Sequence, residues 1–397
     1  MKKIEVLTNY NDYILSTYTR VPGIFVKGKG MSLVDIDGKK YLDFFPGWGV
    51  SNVGHCHPKV ISAVRDQIGK LIHLPNNLYN LHQAKLAKEI IRWSFDGKVF
   101  FANSGAEACE AAIKLSRVFG KGKRFEIITM DNSFHGRTLG ALSATGQKKY
   151  QNGFAPLVPG FRTVPFNDID AFKMAINPAT VAVMLELVQG EGGINIATKE
   201  YVQQLRKICN EKDLLLIIDE VQTGVGRTGE MFAYKHYGIT PDIMLLAKSL
   251  GGGLPIGVMV AHKKIADLLK PGMHASTFGG SPVVCKAALG VFEAIEKEKM
   301  LKNAKVMGAY TMQRFEEMKS QVSCIKNIRG LGLMIGIELS IEGKGIVEEC
   351  FRHGLLINCT QGNILRIMPA LNVTKKQINK ALFTILKALK TVAGVKP

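Results

Sequence analysis

Four apolar runs in this chain stop at residues able to do chemistry. LLLIID (214–219) ends in Asp219, and the loop behind it holds Glu220, Gln222 and Arg227. DIMLLA (242–247) runs into Lys248 and then SLGGGLPIG. KVFFA (98–102) gives way to NSGAEACEAAIKLSR, a Ser104–Gly105 turn opening a helix from about Ala106. FEIITM (125–130) leads to DNSFHGRTLG, with Phe134, His135 and Arg137 in one loop. A strand-end carboxylate can neutralise a cation, and a lysine at the end of a buried strand loses water, so its pKa falls. The amides of Gly105 and Ala106 at a helix start suit a phosphate. An aromatic ring and a guanidinium offer a stacking surface and a fork for a carboxylate. Taken singly, each group has an ordinary reading as a solvated loop, a surface lysine, a Ser-Gly turn or a hydrogen-bonded loop histidine. None of them points to a metal.

The elements around these groups decide how they combine. From about residue 60 to 280, those four runs, TVAVMLEL (180–187) and IGVMVA (256–261) alternate with helical patterns. Continuous apolar strands separated by helices predict a largely parallel sheet covered on both faces. Ligands of such sheets bind beyond the carboxyl ends of the strands, where all four groups stand. Residues 24–44 read as an antiparallel meander with glycines at Gly28 and Gly30 and an Asp37–Gly38 turn. After about residue 283 come long helices, short strands at LGLMIGIEL and ILRIMPAL, and a final amphipathic helix with Thr374 and Gln377 spaced as a capping box. The meander and this tail are expected to form one small α+β domain: 1–55 and 284–397 around a large domain at 56–283. A carboxylate, a lysine, a phosphate cradle and an aromatic with an arginine are the set that pyridoxal 5′-phosphate needs for its ring nitrogen, aldehyde, phosphate and flat ring.

Composition narrows the classes further. The 397 residues carry 52 Lys and Arg against 33 Asp and Glu, a formal net charge of +19. Nucleic-acid binding would gather that surplus on one stripe. Here it is spread along the chain, the longest cluster being GKGKR (120–124), and no nucleic-acid partner is expected. Seven cysteines without a CxxC pair argue against a disulfide framework or a zinc site. The N-terminus lacks the apolar core of a signal peptide and no apolar run reaches membrane-spanning length, so a cytoplasmic protein without a membrane partner is expected.

LLLIIDEVQTGVGRTG, spaced before DIMLLAKSLGGGLPIG, resembles the signature of class III aminotransferases with the type I pyridoxal-phosphate-dependent transferase fold. The likeness extends over GHCHP (54–58), NSGAEACEAAIKLSR (103–117), FHGRTLG (134–140), QGEGG (189–193), STFGG (276–280) and LRIMPALN (365–372). It implies an α/β fold with a mostly parallel, seven-stranded-type sheet covered by helices, plus the small α+β domain from both termini. It also implies roles. Lys248 would bond the cofactor's aldehyde and later shuttle a proton, and Asp219 would pair with the ring nitrogen. Gln222 would reach the ring hydroxyl, while Val221 and Phe134 would sandwich the ring. Gly105, Ala106 and Ser104 would hold the phosphate, and Thr277 would reach the phosphate of the other subunit in a homodimer with shared sites. Arg137, with Ser276 nearby, resembles the clamp for the donor's distant carboxylate. Arg366 resembles the clamp for the α-carboxylate of glutamate, and Glu191 the switch that covers Arg366 when the donor is bound. Glu220 would be structural.

Within the family, length and FHGRTLG are most similar to the branch that moves the δ-amine of N2-acetylornithine to 2-oxoglutarate, with N-succinyl-diaminopimelate as a further donor. The ornithine and 4-aminobutyrate branches are the alternatives, and outside enzymes a basic binding protein on a degenerate fold. Leu187 and Cys109 depart from the family's usual residues and read as packing changes. Trp48, at a pocket-lining position, bears on donor identity.

Overall fold

The computed structural model describes residues 3–393. Near the N-terminus, strands β1 (Phe25–Lys29), β2 (Ser32–Asp35) and β3 (Lys40–Asp43) form the expected antiparallel meander. Gly30 at φ 56° and Gly38 at φ 81° make its two turns, a left-handed conformation that glycine adopts without steric strain.

The large sheet contains β4 (Gly97–Ala102), β5 (Glu126–Met130), β6 (Phe161–Val164) and β7 (Thr180–Leu185). A hairpin of β8 (Val188–Gln189) and β9 (Asn195–Ile196) follows outside it, before β10 (Leu215–Asp219), β11 (Ile243–Leu246) and β12 (Gly257–His262) complete it. The strand order is β4-β12-β11-β10-β7-β5-β6. Only β12 runs against its neighbours, so this is the α/β architecture with a seven-stranded, mostly parallel sheet. The reason those strands read as unbroken apolar runs is visible in β10 and β11. Leu216, Ile218, Met244 and Leu246 enter one hydrophobic cluster, while Leu215, Ile217, Ile243 and Leu245 enter another on the opposite face. Each such buried side chain contributes roughly 1.5–3 kcal/mol. The edge strand β6 escapes sequence reading because two of its four residues are exposed and it pairs with β5 alone.

Helices Pro282–Lys297 and Met300–Lys319 lead into β13 (Ile325–Leu331) and β14 (Met334–Leu339). Beyond them lie β15 (Leu355–Leu356), β16 (Asn358–Thr360) and β17 (Ile364–Ile367). An antiparallel sheet has the order β13-β14-β17-β16, while β15 lies parallel to β3 and so ties the late part of the chain to the first meander. The last helix, Lys375–Val392, starts with the capping box of Thr374 and Gln377.

A narrow seam joins the loop after β10 to this C-terminal sheet. The Arg227 side chain is fully buried, and its Nη1 donates to the carbonyls of Leu333 and Pro369. In return Leu333 N donates to the Arg227 carbonyl at 3.0 Å. Gly332, at φ 58°, lies against the backbone of Thr228, where a Cβ would collide. Burial lowers the Arg227 pKa to about 9, which leaves the guanidinium charged at neutral pH. Among the described residues no helix is long and apolar enough to cross a membrane.

Candidate active site

β10 and β11 are parallel neighbours with Asp219 opposite Leu245, so Asp219 and Lys248 emerge side by side from adjacent strand ends. Lys248 opens a short 3-10 turn at φ 42°, a left-handed conformation uncommon outside glycine, held by the packed turn behind it. Both side chains line a cavity of about 240 Å³. Ser104, Gly105, Ala106, Phe134, Glu191, Val221 and Gln222 line it too. Burial lowers the pKa of the Lys248 amine, opposed by the negative charges of Glu191, Asp219 and Glu186.

Asp219 is 4% exposed. One oxygen lies 2.8 Å from His135 Nδ1 and the other accepts the Val221 amide at 3.0 Å. Glu186 shares this buried corner, its oxygens accepting the amides of Phe134 (2.9 Å) and Gly190 (3.2 Å). Burial pushes its pKa up to about 7, with His135 as the main opposing influence.

Ser104 caps the helix Gly105–Phe119 by accepting the Glu107 amide at 3.2 Å. The amides of Gly105 and Ala106, in the first turn, have no intrahelical acceptor and lie at the cavity wall. A Cβ at Gly105 would come 3.0 Å from Val221 and crowd that wall of the cavity.

These residues fit pyridoxal phosphate on structural grounds. Gln222 lines the cavity with a buried Oε1 that has no hydrogen-bond partner among the described residues, an acceptor suited to a ring hydroxyl. A helix start with free amides receives a phosphate, and the buried carboxylate of Asp219 matches a ring cation. Phe134 and Val221 are the apolar groups of the lining able to face a ring.

The two arginines differ in state. Arg366, on β17, is 1% exposed and donates to Glu191 Oε1 at 2.6 Å, Gly190 O at 3.1 Å and Asn358 Oδ1 at 2.8 Å. Its guanidinium also stacks 4.7 Å from the centroid of Phe45, whose ring meets Trp48 edge-on. Arg137 is exposed and has no hydrogen-bonded or ion-paired partner among the described residues. It lies 4.2 Å from the ring centroid of Tyr150 and 5.6 Å from that of Phe134. Ser276 and Thr277 stand apart from this group. The Ser276 hydroxyl accepts from Asn103 (3.2 Å) and the Gly279 amide (3.0 Å) beside a second, larger cavity, and Thr277 is exposed. Glu220 is buried, its carboxylate accepting from Thr223 and the Tyr234 amide.

Sequence reasoning leaves His135 as a loop histidine and misses Glu186, Tyr150 and Gln361. His135 carries a signal in its place next to Phe134 at the end of a sheet strand, and Glu186 carries one as a carboxylate directly after the buried strand β7.

The chain belongs to the class III aminotransferases: the family described as Aminotransferase class-III matches residues 14–389. Enzymes of this class use pyridoxal 5′-phosphate, and this chain is a pyridoxal-phosphate-dependent transaminase. It is 52% identical to the acetylornithine aminotransferase of Methanocaldococcus jannaschii, over 92% of this chain and 93% of that protein. It is 50% identical to that of Caldanaerobacter subterraneus subsp. tengcongensis, over 95% and 97%. Among solved structures it resembles the ornithine aminotransferase of Toxoplasma gondii, with TM-score 0.95, 32% identity, 100% of this chain and 97% of that one. The acetylornithine aminotransferase of Elizabethkingia anophelis aligns with TM-score 0.88, 30% identity, 98% and 100%.

Proposed function

We propose that this enzyme moves the δ-amino group of N2-acetylornithine to 2-oxoglutarate, giving N-acetylglutamate 5-semialdehyde and glutamate. The observation that carries this reading is one lysine served by two arginines in opposite states, in a chain half identical to acetylornithine aminotransferases. When bound, pyridoxal phosphate supplies an aldehyde and an electron-accepting ring on which amine and carbonyl exchange. Lys248, its pKa lowered by burial, would hold that aldehyde and carry a proton to and from the substrate carbon. Asp219 would pair with the ring nitrogen and keep it protonated, its carboxylate fixed by His135. Gln222 would bond the ring hydroxyl, Val221 and Phe134 would face the ring, and Gly105, Ala106 and Ser104 would hold the phosphate.

Two substrates of different length then share one site. Arg137, free of protein acceptors among the described residues, clamps the carboxylate at the far end of the donor. Glutamate, reacting at its α-amine, brings its α-carboxylate to Arg366, from which Glu191 must turn away. While the donor is bound, Glu191 neutralises Arg366, because a buried guanidinium left without its charge partner is costly. Leu78, Tyr79 and Phe278 are exposed around Ser276 and Thr277, which supports a homodimer in which Thr277 reaches the partner's phosphate. The same reading divides the chain at 1–55, 56–283 and 284–397 and places the enzyme in the cytoplasm.

Ornithine is the second reading, favoured by the close superposition on the Toxoplasma gondii enzyme. Against it, no carboxylate pairs with Arg137 among the described residues, so a free α-ammonium at that end of the donor would lie near the guanidinium without a counter-charge. A donor panel of N2-acetylornithine, ornithine, 4-aminobutyrate and N-succinyl-diaminopimelate, with 2-oxoglutarate as acceptor, decides between them. N2-acetylornithine should exceed ornithine in kcat/KM by at least about tenfold, which needs about 1.4 kcal/mol of discrimination. A preference for ornithine or 4-aminobutyrate overturns the assignment.

A further inference from the structure

Behind the Arg366–Glu191 pair, the hairpin between β16 and β17 holds both partners. Asn358 accepts from Arg366 Nε, while the Thr360 hydroxyl donates to the main-chain carbonyl of Glu191 at 2.8 Å. Gln361, at the turn, donates from Nε2 to that same carbonyl at 2.7 Å and to Gln147 Oε1 at 3.2 Å. Its Oε1 accepts from Lys149 Nζ at 3.2 Å. Gln147 in turn donates to the carbonyls of Asn132 and Ser133, immediately before Phe134, and Tyr150 lies under Arg137. One amide therefore bridges the loop that carries Glu191 and the segment that carries the Arg137 platform. It does so from a backbone at φ 52°, a conformation that a non-glycine residue holds only at a cost. A turn selected for ease alone would place glycine there.

We infer that Gln361 is a positioning residue for substrate exchange: it holds the Glu191 loop against Arg366 in register with the Arg137 wall, and so sets the balance between donor and glutamate. This rests on the gate reading of Glu191. Loss of the tie leaves the Glu191 carboxylate chemically intact but less well held. Arg366 then opens more readily to an α-carboxylate, and the arrangement used by the donor is weakened.

The test uses holoenzyme mixed separately with N2-acetylornithine and with glutamate, each half-reaction being followed by the cofactor's absorbance. Gln361→Gly removes the amide and its hydrogen bonds but relieves the turn, two opposed effects, so the fold should be kept with only a small change in melting temperature. The ratio of donor to glutamate kcat/KM should nevertheless fall by about tenfold, the scale of two hydrogen bonds. Gln361→Glu keeps an acceptor for Lys149 but cannot donate to the Glu191 carbonyl, and should shift the ratio the same way. In a Glu191→Gln background neither change should move it further. A wild-type ratio in Gln361→Gly, or an equal shift with and without Glu191→Gln, overturns the inference. If Glu191→Gln alone leaves the ratio unchanged, the gate reading fails and this inference falls with it.

Discussion

Replacing Asp219 by asparagine keeps the shape of the side chain and removes its charge. In the wild type both oxygens are engaged in a site 4% exposed, one by the Val221 amide and one by His135 Nδ1. A carboxylate only accepts, so His135 carries its proton on Nδ1. The amide offers one acceptor and one donor group, and one of these two contacts must become donor against donor unless His135 moves its proton to Nε2. That rearrangement costs about 1 kcal/mol. A greater loss comes from the missing partner for a buried ring cation, about 3–5 kcal/mol when one member of a buried pair is removed. At about 1.4 kcal/mol per tenfold, the half-reaction should slow by roughly a hundred- to several-thousand-fold. Phosphate cradle, Gln222 and Lys248 are untouched, so the cofactor should stay bound. Stopped-flow absorbance on the purified variant, with cofactor content measured in the same sample, reads both. A rate within about tenfold of wild type, or loss of the cofactor together with activity, refutes the reasoning.

Lys248→Ala should abolish turnover and the yellow colour of the protein as purified; transamination at the wild-type rate by that variant contradicts the assignment. Thr277→Ala should weaken cofactor retention, and dilution to monomers should release cofactor from the wild type, an expectation that a fully active monomer in analytical ultracentrifugation would remove. Glu186 makes a pH-dependent contribution to stability, because burial raises its folded pKa from 4.5 to about 7. The folded state binds the extra proton, so this stabilisation is full below about pH 4.5 and is lost as pH rises through about 7, a change of about 3 kcal/mol. Urea denaturation of cofactor-free protein at several pH values should show that slope in the wild type and a flatter one in Glu186→Gln; parallel slopes would assign the dependence to other groups.

The strands that carry chemistry are legible in the sequence because β10 and β11 bury both faces and end abruptly in polar groups, a pattern that survives without knowledge of their neighbours. The capping box of Thr374 and Gln377 is legible for a related reason: its partners lie three residues apart. Gln361 is not, since its bonds reach Glu191 and Gln147 across 170 and 214 positions, and no local pattern encodes such a pairing. Tyr150 is hidden in QKKYQ, a surface-like run whose ring matters only because the loop before it folds back beneath Arg137. Arg227 stands in the most informative stretch of the chain and reads as a loop residue, though its side chain is buried. Short edge strands such as β6 and β16 bury too little to leave a period.

The seam at Arg227 bears on how this enzyme can be recombined with its relatives. The loop that presents Val221 and Gln222 and the strand that presents Arg366 meet through one guanidinium, two backbone carbonyls and a glycine without room for a methyl group. Neither side is an exchangeable module. A chimera with its crossover between residues 230 and 330 inherits each half of that joint from a different parent. Its success should follow how well the two parents agree at Arg227, Gly332 and Pro369 more closely than their overall identity. Donor preference is therefore more readily altered by single substitutions around Arg137, such as at Tyr150 beneath it, than by grafting either lobe.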